Sequence, residues 1–65
     1  MSPEDLARHA LNSPYLNANK LSIHYDVRDS ETSRSHDGTW FTCQVHVPDD
    51  EAQRVQLEDP HFPKE

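Results

Sequence analysis

The chain is short of the residues that most small domains lean on. It has one cysteine, Cys43, so no intrachain disulfide can staple it, and one glycine, Gly38, so no glycine-rich loop can cradle a phosphate. Basic side chains are few and scattered: six against twelve acids give a net charge of −6. That argues against a conventional phosphate-backbone binder, which needs clustered Lys and Arg, and direct nucleic-acid binding is not expected. No apolar run approaches the ~20 residues of a membrane span. The N-terminal Met-Ser-Pro-Glu-Asp lacks the basic-then-apolar pattern of a secretory signal, so a cytoplasmic, reducing location and no membrane contact are expected.

Apolar residues are also scarce, at 32% of the 65 residues. Soluble domains usually reach about 45–50%, and a chain this short buries only about 60% of its unfolded surface. Association with a partner or a second copy is therefore an expected source of stability.

The chain does contain two alternating stretches. Leu21, Ile23, Tyr25 and Val27 share one parity against Ser22, His24, Asp26 and Arg28; Phe41, Cys43, Val45 and Val47 share one against Trp40, Thr42, Gln44 and His46. This predicts an antiparallel hairpin of two half-buried strands, Leu21 to Val27 and Trp40 to Val47. The polar segment Arg28 to Thr39 would connect them, with Asp37-Gly38 as a turn pair. Two strands are too narrow a sheet to stand alone, so helices or another chain must complete it.

Helix signals flank the hairpin. Ser2 as cap, Pro3 in the first turn and Asp5 three residues after the cap predict a helix over Pro3 to Leu11, ended by Asn12-Ser13-Pro14. Asn17 and Asn19 read as turn formers. After Pro48, the acids Asp49, Asp50 and Glu51 suit a second helix start, and the helix should run from Asp50 to about Glu58, with Ala52, Val55 and Leu57 as its apolar positions. The expectation is an α+β fold in the order αββα, as one domain over 1–59. Residues 60–65 then form a flexible tail unless Phe62 docks. The expected core is Leu6, Ala10, Leu11, Leu16, Leu21, Ile23, Tyr25, Val27, Phe41, Cys43, Val45, Val47 and Val55.

Five histidines and a C-x-x-H pair, Cys43 and His46, raise the question of zinc. On a strand, positions three apart point to opposite faces, and no second cysteine completes a tetrahedral set. No metal and no cofactor are expected. His24 and His46 share the polar face. Even registers alone keep the parities matched: a register summing to seventy sets His24 opposite His46, and one summing to sixty-eight sets His24 opposite Gln44. Ser30, Ser33 and Ser35 with His36 and Asp37 have the residue types of a nucleophile and its base, but one polar loop offers no pocket that excludes water. No enzymatic activity is expected. Trp40 falls on the polar parity, where an exposed tryptophan is a candidate interface anchor.

The stretch from Tyr25 through His36 to Phe41-Thr-Cys-Gln-Val-His-Val resembles the first two strands of a double-stranded-RNA-binding domain, which also follow a helix and carry a histidine in their connecting loop. That family has a third strand and a lysine-rich second helix, whereas Asp49 to Asp59 holds one arginine. In size, acidity and mixed pattern the chain is also similar to small phage-encoded inhibitors of host enzymes. The leading expectation is a non-enzymatic interaction module, an inhibitor or adaptor for a larger protein with a basic surface. Its candidate contacts are Trp40, His24, His46, Gln44, Arg28, Arg34, Asp49, Asp50 and Glu51. The alternative is a nucleic-acid-related role, as a DNA mimic towards a basic protein or as a double-stranded-RNA-binding-like domain. Acid is concentrated in residues 49–65, six acids against two bases, so a basic partner is expected to meet that end first.

Overall fold

A computed structural model describes residues 1–24, 32–42 and 44–63. The first helix, α1, spans Pro3–Leu11, as the local signals predict. Ser2 Oγ accepts the Asp5 N–H at 3.2 Å, Glu4 and Asp5 lie at the positive end, and Arg8 and His9 lie in the last turn. Asn12 ends it, donating its side-chain amide to the Arg8 carbonyl at 3.2 Å. The buried stripe is narrow, Ala7 and Ala10, with Leu6 and Leu11 packed at its flanks. Asn17 then accepts the Asn19 N–H at 3.0 Å and opens a single 3-10 turn, Ala18–Lys20.

The fold is α+β, a helix, an antiparallel sheet and a helix, but the sheet has four strands rather than two. They are β1 (Ser22–Ile23), β2 (Thr32–Arg34), β3 (Gly38–Phe41) and β4 (Val45–Pro48), in spatial order β1-β4-β3-β2. The stretch expected as one strand, Trp40 to Val47, is itself a hairpin: Phe41 pairs with Val45, Trp40 with His46 and Thr39 with Val47. The reversal is closed by the Gln44 N–H on the Phe41 carbonyl at 2.6 Å, with Gln44 at φ 59°. The polar connection also contains structure, because Thr32–Arg34 pairs with Thr39–Phe41 as an edge strand. Gly38 begins β3 and does not sit in a turn.

The second helix, α2, spans Asp49–Glu58 and follows β4 directly. Its first residue is anchored by the Asp49 N–H on the Asp37 carbonyl at 2.7 Å. Both helices pack on one sheet face, α1 against β3 and β4, α2 against β4 and α1. The core is Ala7, Ala10, Phe41, Val47, Ala52, Val55 and Phe62, and alanines on both helices let the two backbones approach closely. Val47 and Val55 are fully buried, each contributing about 1.5–3 kcal/mol by leaving water.

Several expected core residues are less buried than these. Leu6, Leu11, Leu16 and Leu21 are partly buried and pack against the core. Ile23 has the core parity but is 59% exposed, on β1 at the edge of the sheet. Val45 is half-buried, and Leu57 faces solvent. Phe62 docks, which ties residues 60–63 to the domain: its ring is buried and meets the His9 ring at 5.6 Å. Tyr25, Val27, Arg28, Ser30 and Cys43 lie outside the described residues.

Candidate functional site

With both helices on the Phe41 and Val47 side, alternation puts Trp40, His46, Ser22 and Ser33 on the opposite face. Among the described residues no helix covers that face. The register of β1 on β4 sums to sixty-eight, with Ser22 opposite His46 and Ile23 opposite Val45. The His24 N–H accordingly donates to the Gln44 carbonyl at 2.9 Å, so His24 stands by Gln44 and not by His46. The two imidazoles instead flank the tryptophan. Trp40 lies 5.2 Å from the His24 ring and 4.7 Å from the His46 ring, tilted 47° and 43°.

His46 is the most enclosed of these, 6% exposed although it is on the open side. Its ring is walled by Trp40 and by the backbone of Gly38, and it is fixed by the turn joining β2 to β3. Nε2 lies 2.8 Å from Ser35 Oγ and 3.4 Å from Asp37 Oδ1. Ser35 Oγ is also 2.9 Å from the Gly38 carbonyl, and a hydroxyl has one hydrogen to give. Asp37 Oδ1, 3.4 Å away, is a second acceptor for that hydrogen, and which partner donates between Ser35 and Nε2 follows from the ring's tautomer. Asp37 approaches the same nitrogen and not Nδ1, so it does not orient the ring as a catalytic carboxylate would.

The charged candidates are drawn mainly into internal contacts. Arg34 donates to the Gly38 carbonyl and pairs with Asp49 at 2.5 Å, so two predicted contact residues hold each other. Glu51 is 3% exposed and bound by Arg54 Nε. Arg54 also bonds Glu58 and donates to the Tyr15 carbonyl at 2.9 Å. The Glu51 hydrogen bond, helped by both carboxylate charges, raises the Arg54 pKa above its ordinary value. Asp59 accepts the Ser13 hydroxyl at 2.6 Å and the His61 N–H at 2.9 Å. The Ser13 bond first, and the His61 bond next, hold its carboxyl below the usual range. Asp50 is exposed at the start of α2.

Ser35, Asp37 and Gly38, which position His46, were not legible as its neighbours. The strand that carries them back to the sheet is three polar residues long and shows no apolar alternation. Among the described residues no group of three or more metal-ligating side chains occurs, and no helix is long and apolar enough to cross a membrane. Comparison with family models, curated proteins and solved structures finds no match.

Proposed function

We propose that the chain is a non-enzymatic protein-interaction module, an inhibitor or adaptor that docks on a larger protein through the sheet face centred on Trp40. The observation that carries this reading is the setting of Trp40: half-buried on the face the helices leave uncovered, its ring in contact with two imidazoles, His46 on β4 and His24 just after β1. A large aromatic presented on a rigid sheet loses little entropy on binding, and such residues dominate interface energetics. The short outer strands β1 and β2 give a second means of contact by strand addition. Mimicry of nucleic-acid charge is favoured less, since Asp49, Glu51 and Glu58 already face arginines and Asp59 is hydrogen-bonded to Ser13.

The test compares proteins retained from a cell lysate by the tagged wild type and by Trp40→Ala, with circular dichroism to check that the variant is folded. Loss of a retained protein, corresponding to about 2 kcal/mol or more at a hot spot, is expected. A folded variant that retains the same partner equally well removes Trp40 as the anchor.

A further inference from the structure

The sequence places the acid at the C-terminal end, and the fold draws most of those carboxylates into internal contacts. Asp49 is paired with Arg34, Glu51 and Glu58 with Arg54, and Asp59 is hydrogen-bonded to Ser13 and the His61 N–H. Of the acids between 49 and 59, Asp50 alone has no such partner among the described residues. On the Trp40 face the situation is reversed. Asp37 projects from the β2–β3 turn with its side chain 74% exposed, and its Oδ1 lies 3.4 Å from His46 Nε2 and 3.4 Å from Ser35 Oγ. Among the described residues no lysine or arginine pairs with it. His46 touches both Asp37 and Trp40, so the carboxylate and the indole are separated by one imidazole ring.

We infer that this face receives a basic segment of a partner protein, one of whose lysine or arginine side chains lies on the Trp40 ring with Asp37 as its counter-ion. The inference rests on the interaction-module reading and names the chemistry of the partner. Tryptophan is the strongest side-chain acceptor for a cation over its ring, and an exposed carboxylate beside it supplies the charge that steers the cation in. Charge complementarity also decides against a second copy as the occupant. Copies each carrying a net charge of −6 repel, and two of the six basic side chains that a second copy could offer, Arg34 and Arg54, are already ion-paired.

Trp40 is the only tryptophan in the chain, so its fluorescence reports on this face alone. The probes are an alternating Arg-Gly decapeptide and its Glu-Gly counterpart, titrated into the full chain at low and at physiological salt. The Arg-Gly peptide is expected to change Trp40 emission and the Glu-Gly peptide to leave it unchanged. Asp37→Asn should weaken binding about threefold to fivefold, the effect of losing one exposed ion pair, and Asp37→Glu should restore it. Glu4→Gln removes the same charge from the first turn of α1 and should change binding less than about twofold if a site, and not bulk attraction, is responsible.

No emission change with the Arg-Gly peptide overturns the inference. So does equal weakening by Asp37→Asn and Glu4→Gln, which would mean unspecific attraction to an acidic protein. The two readings fail separately. If Trp40→Ala loses its captured partner while the Arg-Gly peptide is inert, the docking face stands and the basic partner falls; if the peptide binds at Asp37 while Trp40→Ala keeps its partner, the docking face falls.

Discussion

Gly38 backs directly onto the His46 imidazole: a Cβ at position 38 would fall 2.4 Å from Nε2 and 2.5 Å from the Val47 carbonyl oxygen. The chain's one glycine is therefore set by close approach, since its φ is not in the left-handed region. Gly38→Ala should destabilise the fold by about 1–3 kcal/mol, the range for forcing extra volume into a packed site. Thermal unfolding reads this as a fall of about 4–8 °C per kcal/mol in a domain of this size. Adding His46→Ala should recover only part of the loss, because the Val47 carbonyl is backbone and cannot swing away. A double variant as stable as His46→Ala alone would show that the ring was the sole obstacle.

How much of this could be read in advance depended on whether the signal was local. The bounds of α1 followed from Ser2, Pro3 and Asn12-Ser13-Pro14, residues that act on their own backbone. The turn inside Trp40 to Val47 gave no such sign, because Thr42, Cys43 and Gln44 carry none of the usual turn chemistry. Alternation hid it further. Pairing Phe41 with Val45 and Thr39 with Val47 gives even sums, so a hairpin with a three-residue loop keeps the same residues on the same face as a continuous strand. The alternation therefore assigns Trp40 to its observed face even though the segment folds back as two strands. Ser35 and Asp37 were missed as neighbours of His46 because their position depends on β2, whose polar residues have no burial pattern to read.

The same hairpin predicts a stabilising substitution. Gln44 closes it at φ 59°, a conformation that costs a non-glycine residue roughly 1–2 kcal/mol through its Cβ. Three-residue hairpin loops favour glycine at this position. Gln44→Gly should raise the urea midpoint, part of the gain being offset by the freer unfolded chain, whereas the β-branched Gln44→Val should lower it. If both variants shift the midpoint in the same direction, backbone strain is not what Gln44 contributes.

Thr39 lies in the core beside its strand partner Val47, fully buried, and its Oγ1 has no hydrogen-bond partner among the described residues. A buried hydroxyl without a partner has lost its hydration for nothing in return, while valine fills the same shape without the polar atom. Thr39→Val is expected to stabilise by about 1 kcal/mol, measured by equilibrium denaturation with an unchanged m-value. A loss of stability would mean that the hydroxyl finds a partner in solution.

Asp59 couples the end of α2 to the segment after α1 and to the turn that seats Phe62, through Ser13 Oγ, the His61 N–H and the Phe62 N–H on its carbonyl at 3.2 Å. The Ser13 and His61 bonds favour the ionised carboxylate, so its folded pKa lies below the unfolded value. The sign follows. A depressed pKa means that the unfolded chain binds the proton first, so the stabilisation is fully present above the ordinary aspartate range of about 4 and is lost as pH falls through the lower folded value. Denaturation followed from pH 6 downwards should therefore show stability declining below about pH 4. Asp59→Asn should be less stable at neutral pH and decline less steeply in acid, since its amide accepts a hydrogen bond without titrating. Ser13→Ala removes the larger cause and should flatten the same limb part of the way. If Asp59→Asn and the wild type run parallel through the acid range, other carboxylates govern the transition, and the Ser13 bond has no part in the acid lability.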